Sequence, residues 1–148
     1  MTNEPTVLVV DDNEDLLETF SMILKRRGFR VTTAGNGPTA IDLYREYGFD
    51  VILMDIVMPE MDGVAALRRI KEIDPEATVI MMTAYSNEET IQTAKNEGAR
   101  RVIRKPVKID LLIDMIREAA GEETILVINR ETKDPFEASR ESLAISGV

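Results

Sequence analysis

Apolar residues gather into five short runs along the chain, at Thr6–Val10, Arg30–Ala34, Asp50–Met54, Thr78–Met82 and Arg101–Arg104. Amphipathic stretches follow each of them. The first, Asn13–Arg27, places Leu16, Leu17, Phe20, Ile23 and Leu24 at the spacing of one helical face, and Gly28 ends it. The second opens on Asn36-Gly37-Pro38, with proline in the first turn, and carries Ala40, Ile41, Tyr44 and Tyr47. The third carries Val64, Leu67, Ile70 and Ile73 and stops at Asp74-Pro75, because the residue before a proline is driven out of the helical region. "SNEE", Ser86 to Glu89, has the form of a capping box ahead of Ile91 and Ala94. The fifth stretch, from about Lys108, carries Leu111, Leu112, Met115, Ile116 and Ala119, with Gly121 after it.

Strand alternating with helix implies parallel strands joined by right-handed crossovers. Runs one, three and four are almost wholly apolar, so helices should cover both of their faces. Runs two ("RVTTA") and five ("RRVIR") mix polar residues in, which suits the edges of a sheet, where charge also discourages unwanted pairing. The expected fold is therefore α/β: a flavodoxin-like, doubly wound, five-stranded parallel sheet of order 2-1-3-4-5 with helices on both faces. Such a sheet offers its ligand site at the carboxyl ends of strands one and three, where the winding reverses.

The alternation accounts for residues 1–121. Residues 122–148 read as a tail or the start of a linker, with "TILVIN" (Thr124–Asn129) a candidate sixth strand and a weakly helical piece after it. Charge narrows function more than fold. With 27 acids against 18 bases the net charge is −9, which argues against direct nucleic-acid binding by this chain. Cysteine and histidine are both absent, so thiol nucleophiles, Cys/His zinc sites and phosphohistidine chemistry on this chain are excluded. No run approaches the ~18 apolar residues of a membrane span. The amino-terminal "MTNEPTVLVV" lacks the basic segment of a signal peptide, so no membrane association and a cytoplasmic location are expected.

Candidate chemistry lies just past the strands. The first ends in Asp11-Asp12. In "VILMDIVMPEMDG" the third runs straight into Asp55. The fourth ends in Thr83-Ala84, and the fifth meets Lys105-Pro106. Taken singly, each has a plainer role: helix cap, turn former, strand ending or edge charge. In a parallel sheet all four ends share one edge, and three carboxylates, a hydroxyl and an ammonium converge. Two carboxylates ~5 Å apart repel by roughly 3 kcal/mol at an effective dielectric of ~20. Three call for a cation, and an all-oxygen donor set suits a hard ion such as Mg²⁺, with Mn²⁺ also fitting. A carboxylate beside such an ion can attack phosphorus and form an aspartyl phosphate. Lys105 would offset the transferred charge, and Thr83 would donate a hydrogen bond to it.

With these residues placed, the chain resembles the receiver domains of two-component response regulators. The likeness rests on "VLVVDDNED", "DVILMDIVMPEMDG", "VIMMTAY" and "GARRVIRKPV" and covers about residues 5–120. It implies that Asp55 is the phosphoacceptor. It implies a metal site of Asp11, Asp12, Asp55 and the Val57 backbone carbonyl, with Asp12 the more direct ligand and Asp11 acting largely through water. Thr83 and Lys105 match the phosphoryl-binding residues, and the Lys105-Pro106 peptide would be cis. The implied donor is the phosphohistidine of a sensor histidine kinase or phosphotransfer protein. The implied output is a downstream effector reached through the fourth helix, fifth strand and fifth helix. The domain would catalyse only its own phosphorylation and dephosphorylation.

Two features depart from the family pattern, at Val102 and at Arg100-Arg101. Val102 stands where a switching Tyr or Phe is usual. Val57 and Tyr85, near Asp55 and Thr83, offer little help to an attacking water, so slow self-dephosphorylation is expected. Arg100-Arg101 stands where the DNA-binding branch often carries the acids of its dimer; a homodimer of another kind stays compatible. Two alternatives compete: a receiver-fold interaction module acting without phosphorylation, and a Mg-dependent aspartyl-phosphate phosphatase. The phosphatase needs an acid two residues past its nucleophile. The candidates there are Asn13, Glu14 and Val57, and the one acid, Glu14, is not the required Asp. A dinucleotide binder lacks its Gly-rich loop after the first strand.

Overall fold

The computed structural model describes residues 4–84 and 87–121. The chain divides into two compact units, Met1–Val107 and Lys108–Val148. The first contains β1 (Thr6–Val10), α1 (Glu14–Arg26), β2 (Arg30–Ala34), α2 (Gly37–Tyr47), β3 (Val51–Asp55), α3 (Gly63–Ile73), β4 (Val79–Thr83), α4 (Glu88–Asn96) and β5 (Arg101–Arg104). The described part of the second is α5 (Ile109–Ala119), in which Leu112, Ile113 and Ile116 are buried. The expected extra strand Thr124–Asn129 and the segment after it lie outside the described residues.

All five strands are parallel and run in the order β2-β1-β3-β4-β5. The flavodoxin-like reading therefore holds, with the mixed-polarity strands β2 and β5 at the edges. Every residue of β3 and β4 is buried. Period-two alternation divides the strand residues between two faces. Leu8, Val10, Ile52, Met54, Val79 and Met81 join a core with Ala40, Ile41 and Tyr44 of α2, Leu67 and Ile70 of α3 and Ala94 of α4. The alternate positions, Val7, Val9, Leu53, Ile80 and Met82, are equally buried. They point to the opposite face, where α1 turns Leu17, Phe20 and Leu24 inward.

Local boundaries follow from backbone pairing. Strands β3 and β4 each begin and end one residue later than their apolar runs, because Asp55 and Thr83 still pair with neighbours, Asp55 beside Met82 and Thr83 beside Arg104. Helix α4 is capped by Asn87, whose side chain accepts from the amides of Glu89 and Thr90 at 2.9 and 3.3 Å, so the cap falls one residue after the expected Ser86. Tyr47 does not share the inner face of α2: it is 71% exposed, and the inward aromatic is Tyr44. Ile73, the last residue of α3, is likewise partly exposed.

Candidate functional site

Parallel register brings the strand ends to one edge of the sheet. Val10 pairs with Met54, so Asp11 leaves β1 next to Asp55 at the end of β3. Asp11 is 1% exposed and Asp55 7%, whereas Asp12 is on the surface. Each of the three offers a carboxylate oxygen, and these oxygens lie within 4.8 Å of one another. From the end of β5, Lys105 reaches in and donates to Asp11 Oδ2 and to Asp55 Oδ2, both at 3.1 Å. Its backbone N–H donates to the Thr83 carbonyl at 2.8 Å, which ties the strand-end loops together. The Lys105-Pro106 peptide is cis, as the motif implied.

The remaining oxygens are held by the turns that follow the strands. Asp11 Oδ1 accepts from Asn13 N–H at 2.9 Å, and Asp55 Oδ1 from Val57 N–H at 3.2 Å. Burial pushes the Asp55 carboxyl above the ordinary carboxylate range, although Lys105 and the Val57 amide pull it down. Burial pulls Lys105 down, yet its hydrogen bonds to Asp11 and Asp55 and their charges outweigh this and hold it above the usual lysine value. In a simple ion pair the acid would fall while the base rose. Here one ammonium is shared by two buried acids, so Asp55 keeps a net desolvation cost. The all-oxygen donor set and its incomplete compensation by a single lysine fit a hard divalent cation.

The other expected residues occupy distinct places. Thr83 is buried as the last residue of β4. Val57 is 47% exposed on the β3–α3 loop. Val102 is half-buried and packs against the core. Tyr85 lies outside the described residues. Sequence reasoning missed three features nearby. A cavity of about 150 Å³ lies beside Thr83, lined also by Ile56, Val57, Asn87, Thr90 and Ile91. Glu60 has φ +72°. Gly63 begins α3 so close to β3 that a Cβ there would collide with the Asp55 carbonyl oxygen and come within 2.8 Å of Ile56 Cα. Only the last left a signal, the Asp-Gly pair, and that pair reads as an ordinary turn.

This is a doubly wound α/β protein with a carboxylate–lysine centre at its topological switch point. The chain belongs to the response regulator receiver domain family, whose pattern it matches over residues 7–117, and is a receiver domain of two-component signalling. It is 38% identical over 113 residues to chemotaxis protein CheY of Bacillus subtilis (strain 168), covering 76% of this chain and 94% of that protein. It is 38% identical over 119 residues to regulatory protein AtoC of Escherichia coli (strain K12), covering 80% of this chain but only 26% of that one. Among solved structures, the CheX-CheY-BeF3-Mg complex of Borrelia burgdorferi matches with a TM-score of 0.72 and 31% identity, over 76% of this chain and 87% of that one.

Proposed function

We propose that this receiver domain takes a phosphoryl group onto Asp55 from the phosphohistidine of a sensor histidine kinase or phosphotransfer protein. The observation that carries this reading is Lys105 Nζ held 3.1 Å from both Asp11 and Asp55 at the edge where Asp12 also arrives. Residues 1–121 would form the signalling domain. The residues suited to hold Mg²⁺, with Mn²⁺ as substitute, are Asp11, Asp12, Asp55 and the Val57 carbonyl. Both Asp11 oxygens are already engaged by Asn13 and Lys105, which favours exposed Asp12 as the more direct ligand. Bound there, the cation supplies charge neutralisation for the transferring group.

The chain's own residues supply the rest. An Asp55 oxygen attacks phosphorus, the phosphorus–nitrogen bond to the donor imidazole breaks, and the imidazole leaves with the bond's electron pair. Lys105 exchanges its contact with Asp55 for the new phosphoryl oxygens, and the Thr83 hydroxyl donates to one of them. With Val102 in place of an aromatic, the signal passes through Thr83 and the adjoining α4, which carries only two buried residues, Ile91 and Ala94. The effector would be reached through the α4 and β5 surface, in the cytoplasm. Apart from this self-modification, no external substrate is turned over. Apolar Val57 gives no help to an incoming water, so the phosphoryl group should persist well beyond seconds. The test is titration with beryllofluoride and Mg²⁺ followed by amide resonances. Saturable shifts around Asp55, Thr83 and Lys105 that vanish in Asp55→Asn are expected. Equal shifts in the variant would refute the assignment.

A further inference from the structure

The loop from β3 to α3 carries Val57 and makes an uncommon turn. Met61 N–H donates to the Pro59 carbonyl at 2.7 Å, and Glu60 between them has φ +72°. A three-residue turn of this hand is rare and strained. A non-glycine residue persists in it only when the surroundings impose it. At one end of the loop, Gly63 N–H donates to the Ile56 carbonyl at 2.6 Å. At its tip, Met61 packs on Gly37, the buried first residue of α2. A Cβ on Gly37 would sit 3.1 Å from Met61 Sδ and 3.3 Å from its Cβ and Cγ. A side chain at position 37 would therefore press on the methionine, which would have to give by a few tenths of an ångström.

We propose that the Met61–Gly37 contact is a positioning device for the cation site. It seats the strained Glu60 turn against α2 and so fixes the Val57 carbonyl relative to Asp55, whose Oδ1 already accepts from the Val57 amide. The inference rests on the reading that the three carboxylates and the Val57 carbonyl hold a divalent cation. It adds to that reading Met61 and Gly37, two residues that touch neither the cation nor the phosphoryl group. Purely structural packing would affect melting alone; positioning affects where Val57 sits and how tightly the ion is held.

The test uses the whole chain and its Gly37→Ala, Met61→Ala, Met61→Leu and Gly37→Ala/Met61→Ala variants. Amide resonances are recorded without metal and during Mg²⁺ titration. In Gly37→Ala the Val57 and Asp55 amides should move in the metal-free protein, and the Mg²⁺ Kd should rise about tenfold, as when other supports of metal ligands are removed. Met61→Leu should stay near wild type. The double variant should match Met61→Ala alone, because the new methyl enters vacated space. Unmoved amides and an unchanged Kd in Gly37→Ala, with only a lower Tm, would overturn the proposal, and so would full additivity in the double variant. Should Gly37→Ala fail to fold, Met61→Ala against Met61→Leu gives the same decision. A wild type that binds no Mg²⁺ refutes the site reading, while the metal-free amides still decide whether the contact positions the loop.

Discussion

At Asp55, burial and charge act in opposite directions. Its folded carboxyl titrates above the ordinary 3.8 because burial disfavours the charged form, and Lys105 compensates only in part. A carboxyl raised on folding contributes stability that is present below its unfolded value and is lost as pH rises through its folded value. Metal-free wild type should therefore lose stability relative to Asp55→Asn as pH rises above about 4, and at neutral pH the variant should be the more stable of the two, chiefly because it removes the cost of burying a charged carboxylate, with relief of repulsion from Asp11 a smaller part. Urea unfolding across this range checks it; an Asp55→Asn variant no more stable than wild type at neutral pH would contradict it. Asp11, Asp12, Asp55, Thr83 and Lys105 were legible because each is a polar residue at the end of an apolar run, and a parallel sheet gathers such ends. Glu60 was not legible, since nothing in "MPEMDG" distinguishes a left-handed glutamate from an ordinary turn residue.

Between elements, close approach and single hydrogen bonds decide geometry. Helix α3 can start beside the end of β3 only because Gly63 has no side chain. Its backbone neighbours cannot move aside as a flexible side chain could, so Gly63→Ala should cost about 1–3 kcal/mol, read by denaturant unfolding, and should shift the Asp55 amide. Helices α2 and α3 are also joined by Tyr44, whose hydroxyl donates to Asp74 Oδ2 at 2.6 Å. Burial and the Asp74 carboxylate together raise the Tyr44 hydroxyl far above its usual 10. That contribution is present below pH 10 and fades as pH rises, because the unfolded tyrosine ionises first. Tyr44→Phe should lower Tm by about 2–4 °C at neutral pH and should show less loss of Tm in alkali than wild type. The periodicity of α2 placed Tyr44 and Tyr47 alike on the inner face. The structure separates them, because only Tyr44 finds an acceptor for its hydroxyl and a neighbouring ring, Phe49, at 6.4 Å. The cap of α4 moved to Asn87 for a similar reason: a hydrogen bond, which spacing alone does not reveal, selects among adjacent polar residues.

At the level of the whole molecule, edge and centre were readable from polarity alone. The arginines of β2 and β5 marked the borders of the sheet, and the unbroken apolar runs of β1, β3 and β4 marked its middle. This order is what collects the acids, so fold and site became legible together. Ligand binding to the folded state alone raises its stability, by about 2.7 kcal/mol at a hundred times Kd. Mg²⁺ should therefore raise the Tm of wild type but much less that of Asp12→Asn, and EDTA should reverse the gain; equal gains in both proteins would place the ion elsewhere. Capture of a phosphoryl group by Asp55 is read from intact mass after incubation with phosphoramidate and Mg²⁺. Wild type should gain one phosphoryl group, Asp55→Asn none, and wild type none when EDTA is present. An unchanged wild-type mass, or the same gain in Asp55→Asn, would contradict it.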